Sequence, residues 1–229
     1  MSTTDPIVDA PWGEQTERAI ANFPVSGQPL PWEVIWALLS LKGVAATVNG
    51  RRKVIPRDVA HAIHDVASEL VAQPRAEWFP VDVFQTGSGT STNMNVNEVL
   101  ATLASKRLGS PVHPNDHVNA SQSSNDVFPS AIRLAACQLI VRRVVPALEQ
   151  LEAELRRLAK DHAATVKAGR THLMDAVPIT FGDEAGGWAR SIRLGIERLV
   201  GVLQHLGELP LGGTATGSGL NAPKGFAAD

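Results

Sequence analysis

The chain has 229 residues, a formal net charge of -2 and 44% hydrophobic residues, a composition with room for one large globular domain or two smaller ones. Near-neutral charge without a Lys/Arg run excludes an electrostatic footprint for nucleic acid, and no apolar run reaches the roughly 18 residues of a membrane span. The lone cysteine, Cys137, excludes a disulfide framework, fits a reducing compartment and reads as a small core residue. The N-terminus, MSTTDPIVDAPWGEQTERA, has neither the basic nor the apolar region of a secretory leader, so the expected location is cytoplasmic.

Helical signals dominate, and sustained period-2 alternation flanked by hairpin turns is missing. PWEVIWALLSLKGVAATVNG reads as a buried helix ending near Gly50, and IPRDVAHAIHDVASELVAQ as an amphipathic helix with Pro56 in its first turn. The polar run QTGSGTSTNMNVNE follows, then a short helix, then a second polar run, VHPNDHVNASQSSND. From about Phe128 to about His162 the spacing predicts one long helix with Leu148, Leu151, Leu155 and Leu158 in a stripe, roughly 50 Å long at 1.5 Å per residue. Pro146 should kink or divide it. GRTHLMDAVP reads as a loop and turn, and a second long helix follows Pro178 with Phe181, Ala185, Trp188, Ile192, Leu199, Leu203 and Leu206 in its stripe. A third Gly/Thr/Ser loop, LGGTATGSGLNAPKGF, leads to Asp229. Two such helices cannot cover each other's stripes completely, so further helices are expected, from more chain or a partner. The sequence reads as half of a larger unit.

Three loops rich in small hydroxyl and amide side chains lie between these helices. TGSGT offers Ser88 and Thr90 on a backbone that glycine lets approach a ligand closely. SQSSND offers Ser123, Ser124 and Asn125 at the start of the long helix, with Asn125 or Asp126 as candidate N-cap and Pro129 in the first turn. Helix N-termini present unpaired N–H groups and a positive dipole end, which suit a small carboxylate. GRTH adds Thr171 and His172. Each loop taken singly is also an ordinary turn, and His172 alone an ordinary loop histidine. GSGTST lacks the lysine of a phosphate-binding loop, and GTATGSGLN does not give a dinucleotide fingerprint. His61 with His64, or His113 with His117, has metal-compatible spacing, but no cysteine or carboxylate pattern completes a site; no metal is expected.

Four motifs in order, VFQTGSGTSTNMNVNEV, VHPNDHVNASQSSNDVFPSA, KAGRTHLMDAVPIT and LGGTATGSGLNAPKGF, closely resemble class II fumarate hydratase of the fumarase/aspartase superfamily. The resemblance covers nearly the whole chain. Ser124 and His172 favour fumarase over aspartase-like members, whereas Asp183 stands where fumarases usually carry glutamine and Ser110 where some members carry an arginine near HPND. The resemblance implies an all-α subunit: residues 1-125 as an N-terminal helical domain with the carboxylate loops, and 126-229 as part of a central long-helix bundle. It implies reversible hydration of fumarate to L-malate, a step of the tricarboxylic acid cycle, without metal or organic cofactor, in a homotetramer whose sites draw loops from three subunits. Ser88, Thr90, Ser123, Ser124 and Asn125 would hold the substrate carboxylates. Thr171 and His172 would come from a neighbouring subunit, His172 orienting water or assisting proton transfer. His113, Asn115 and Asp116 match a secondary anion site.

Removing a proton beside a carboxylate builds an aci-carboxylate, and preorganised donors aimed at that charge are the main lever of such a site; a histidine can carry the proton. The family's catalytic-base pattern, G-S-S-x-M-P-x-K-x-N-P, does not occur in the 229 residues. The chain alone is therefore expected to be inactive, as a fragment or as one half of a split enzyme complemented by a second half. An aspartate ammonia-lyase-type activity and a non-catalytic helical paralogue are the alternative readings.

Overall fold

The computed structural model describes residues 10–229; the leader reading rests partly on residues 1–9, outside the described residues. The chain forms two units, one of residues up to Ala135 together with Leu209–Asp229, the other Ala136–Glu208.

In the first unit, α1 (Glu14–Asn22) is short and polar and needs an outside anchor. Buried Glu98 supplies it, accepting from the N–H groups of Gly13, Gln15 and Thr16 at 2.9–3.1 Å and from the Thr16 hydroxyl at 2.6 Å. A carboxylate from another helix thus does the work of an N-cap side chain. The apolar helix α2 (Trp32–Arg51) is buried on most of its circumference and packs against α3 (Arg57–Ala72). Ile35, Leu38 and Leu39 meet Ile63, Val66 and Leu70, and α4 (Thr90–Leu108) adds Val96, Val99 and Leu100 to the same core. A π-helical turn, Pro114–Val118, leads to α5 (Ser124–Leu139), whose Val127, Ala131 and Ala135 complete that core.

In the second unit a π-helical turn, Ile140–Val144, stands just before Pro146, where division was expected, and α6 (Val145–Asp161) follows. The single long helix of the sequence reading is therefore two α-helices with a wider turn between them. Strands β1 (Val166–Thr171) and β2 (Met174–Thr180) form an antiparallel hairpin where a loop was expected. Most of its side chains are exposed on both faces, so burial imposes no alternation on the sequence. Gly169 lies at the register shift in β1, where a Cβ would stand 2.6 Å from the Val177 carbonyl oxygen. Helix α7 (Phe181–Leu206) starts with a capping box: Thr180 Oγ1 accepts from Asp183 N–H at 2.9 Å, and Thr180 N–H donates to Asp183 at 3.0 Å. Those bonds hold the Asp183 carboxyl below its usual range and give the departure from glutamine a local purpose.

Helices α6 and α7 pack together around Ala185, Ala189 and Ile196. Buried Glu152 accepts from Arg156 and Arg193 at 2.8 Å; burial pushes its carboxyl up, and the two guanidinium groups outweigh it and hold it low. Leu151, Leu158, Phe181 and Trp188 stay exposed.

The last stretch, Leu209–Asp229, belongs to the first unit. Phe226 packs on Ala45 and Val48, and Arg52 reaches Asp229 at 2.6 Å. The units divide at 135/136 rather than at the 125/126 boundary drawn from the sequence. The first half of α5 is buried in the first unit's core, which carries that compact unit past the boundary.

Candidate active site

The loop before α4 is staked before it is functional. Asp82 accepts from the N–H groups of Ser26, Gly27 and Phe84 and from the Ser26 hydroxyl. Burial pushes its carboxyl up, but these donors prevail and hold it at about 2. Gln85 then closes onto α4, accepting from Thr92 N–H and donating to Thr92 Oγ1, both at 2.8 Å. Between these anchors the chain enters the left-handed region at Ser88 (φ 63°) and Gly89 (φ 65°). At Gly89 a Cβ would stand 2.4 Å from the Phe128 ring, so the ring fills the space a side chain would need.

The loop before α5 is tied differently. Ser123, not Asn125 or Asp126, occupies the capping position: its Oγ accepts from Asn125 N–H at 3.2 Å, and its own N–H donates to Asp126 at 2.8 Å. The other carboxylate oxygen of buried Asp126 accepts from Gly212 and Thr214 N–H at 3.0 and 2.8 Å. Asn125 Nδ2 adds a bond to the Ala215 carbonyl at 2.9 Å. One buried aspartate therefore carries the start of α5 and the third Gly/Thr/Ser loop together.

Thr90 and Ser124 are the first residues of α4 and α5. Their hydroxyl groups meet at 2.9 Å. Two helix N-termini, each with a hydroxyl at its first turn, thus face one cleft of about 400 Å³, lined also by Ser123, Asn93, Asn119, Gln122 and Thr214–Thr216. Converging positive dipole ends and neutral donors suit a small carboxylate. Asn125 is tied to that rim, while Ser88 is exposed on the strained turn and does not line the cleft.

His113, Asn115 and Asp116 sit apart from the cleft lining, in and before the exposed π-helical turn. His113 Nδ1 accepts from the N–H groups of Asn115 and Asp116 at 3.3 and 3.1 Å, and His113 N–H donates to His117 Nδ1 at 2.9 Å.

Thr171 and His172 belong to the second unit, where Thr171 pairs with Met174 and His172–Leu173 form the tip. Both tip residues have positive φ, 51° and 62°, as a two-residue turn matching strand twist requires. Neither is glycine or asparagine, and Leu173 is 94% exposed, so the histidine is presented on a strained, solvated point.

Residues 3–229 match the family model described as lyase. The chain belongs to the lyase family. Within the family it is similar to class II fumarate hydratases, 52% identical over 94% of the chain to that of Mycobacterium tuberculosis and 48% identical over 96% to that of Xylella fastidiosa. It covers 45% and 46% of those two proteins, so this lyase chain spans about half the length of the curated relatives it matches. Among solved structures, a class II fumarase from Schistosoma mansoni gives a TM-score of 0.90 at 38% identity, over 97% of this chain and 48% of that one. A fumarate lyase:delta crystallin from Brucella melitensis bound to cobalt gives 0.90 at 41%, over 98% and 50%. The all-α fumarase-like fold expected from the motifs is the fold of these relatives.

Asn93, Asn119, Gln122 and Lys42 were not singled out from the sequence. The amides stood inside the motifs among many others. Lys42 had one signal, a charge in the otherwise apolar stretch of α2.

Proposed function

We propose that this lyase chain supplies the carboxylate-binding and histidine-bearing part of a fumarate hydratase, which adds water reversibly to fumarate to give L-malate. The observation that carries the reading is the meeting of Thr90 and Ser124 hydroxyls at 2.9 Å where α4 and α5 begin. With Ser123 they hold the substrate carboxylates in the cleft, Asn125 at its rim and Ser88 on the turn before α4 completing the set. Hydroxyl and amide donors fix each oxygen, and the two helix dipoles favour the extra negative charge of the aci-carboxylate. Thr171 and His172 are supplied to the site by a neighbouring subunit, His172 passing a proton or orienting water. His113, Asn115 and Asp116 form a secondary anion site. Residues 1-125 correspond to the family's N-terminal domain and 126-229 to the start of its central bundle, within a cytoplasmic homotetramer whose contacts cover the exposed stripes of α6 and α7.

No helix among the described residues is long and apolar enough to cross a membrane. The base pattern does not occur in these residues, so turnover requires the rest of the subunit. The test is fumarate hydration by loss of ultraviolet absorbance, for the chain alone and mixed with the remaining half of the Mycobacterium tuberculosis relative. Turnover only in the mixture, falling about 100-fold with His172→Asn, is expected. Aspartate deamination instead would move the reading to an ammonia-lyase. Associated halves without either activity would overturn it in favour of a non-catalytic assembly.

A further inference from the structure

Lys42 is fully buried in the middle of α2, at 0% exposure. Its Nζ donates to Asn119 Oδ1 at 2.7 Å. The same oxygen accepts from Asn93 Nδ2 at 3.2 Å, and Asn119 Nδ2 donates to the Gln122 carbonyl at 3.4 Å. Asn93, Asn119 and Gln122 all line the carboxylate cleft.

The chemistry of the donor decides the order of this chain. An ammonium group has three donors and no acceptor, so the Asn119 carboxamide must turn its oxygen toward it. Asn93 must then offer Nδ2 to that oxygen, which leaves Asn93 Oδ1 buried and without a partner among the described residues. An acceptor left this way beside a cleft suits the O–H of water or of a hydroxy acid. A neutral amine can accept as well as donate, so the order is no longer compelled once the proton is lost.

We infer that Lys42 is a positioning residue of the carboxylate cleft, whose buried cation sets the orientation of the Asn119 and Asn93 carboxamides and lends positive charge to a bound dicarboxylate. The second clause rests on the fumarate reading; the first stands on the contacts alone. Asp126 is the charged group that acts on Lys42 from α5, favouring the cation, while desolvation is the larger influence and brings the ammonium down to about 7. Asn119, after the π-helical turn, faces it with its amide oxygen, and Asn93 on α4 bonds that same oxygen. The cation and the neutral amine therefore exchange near neutral pH.

The test uses the full chain labelled with nitrogen-15 and carbon-13. Lys42 side-chain signals and the carboxamide signals of Asn93 and Asn119 are followed from pH 5.5 to 9.5. All three are expected to move with one midpoint near 7, and in a folded Lys42→Met variant the carboxamides should not move. Carboxamides that stay still while Lys42 titrates, or that move equally in the variant, would overturn the inference. Fumarate binding is then measured by calorimetry, with the complementing half present. Wild type should weaken about tenfold from pH 6 to 8.5, and Lys42→Met should hold the weaker value throughout. A folded variant that binds as tightly as wild type at pH 6 would refute the charge role. Wild type that binds no fumarate at any pH would sink the hydratase reading and the charge role alike, while the carboxamide titration still judges the orientation. If the variant does not fold, the wild-type titration decides alone.

Discussion

The two units handle charge in opposite ways. The first buries Lys42, Glu98 and Asp126, each held by amides, hydroxyls or backbone N–H groups rather than by a matched ion pair. The second buries Glu152, between two arginines, and leaves Leu151, Leu158 and Trp188 exposed. A core organised by directional donors keeps a cleft in one geometry. A pair of helices with uncovered stripes is completed by what packs against it. The difference teaches that the cleft at the starts of α4 and α5 is built within the first unit, whereas His172 is carried on a unit whose apolar side chains lie open to solvent.

The largest effect that could break this contrast concerns Lys42. Folding lowers the proton affinity of its ammonium from 10.5 to about 7, so between those values the unfolded chain holds more protons and stability from this group rises with pH. Below 7 the burial cost is fully present, on the order of 5 kcal/mol; above the unfolded value it is gone. Lys42→Met should therefore flatten the pH dependence of urea unfolding across that window and be more stable than wild type near pH 6. Equal slopes in both proteins would show that the first unit does not carry a strained charge.

Next in size, Glu98→Ala removes four bonds from the start of α1 and should cost about 3 kcal/mol in the first unit. Tryptophan fluorescence during denaturation reads it, and a loss below about 1 kcal/mol would mean α1 holds itself.

In the second unit, Leu151→Asp with Leu158→Asp should raise the concentration needed for self-association at least tenfold, seen by sedimentation, without altering the cleft. A wild-type chain that stays monomeric at high concentration would remove the contrast altogether. The smallest expected effect is at the hairpin tip. Leu173→Gly relieves a left-handed leucine and should strengthen the hairpin by about 1 kcal/mol, read from amide exchange at Met174.

What the sequence disclosed follows the same division. Apolar runs placed α2 and α3, and the stripe after Pro178 placed α7, because burial on one side writes a period into the residues. The hydroxyl loops were legible from composition and motif order. The hairpin was not, since strands exposed on both faces carry no alternation. Nor was the full role of Asp126, which looked like a local cap and, besides accepting from Ser123 N–H, is bonded to residues 212 and 214, distant in the chain. Lys42 escaped notice because lysine in an apolar helix ordinarily reaches water with its long stem, and here it does not.

The π-helical turn at Ile140–Val144 has a consequence in the currency of insertions and deletions. Such a turn holds one residue more than the α-ladder needs, so losing any one of those five restores regular bonding. The wide turn takes up that residue, so its loss would leave the phase of α6 nearly unchanged, whereas the same loss within α6 would rotate everything beyond it by about 100° about the helix axis. A single-codon loss is thus absorbed at this turn and felt inside α6, so the facing of that stripe is set by a count of residues as much as by their kind.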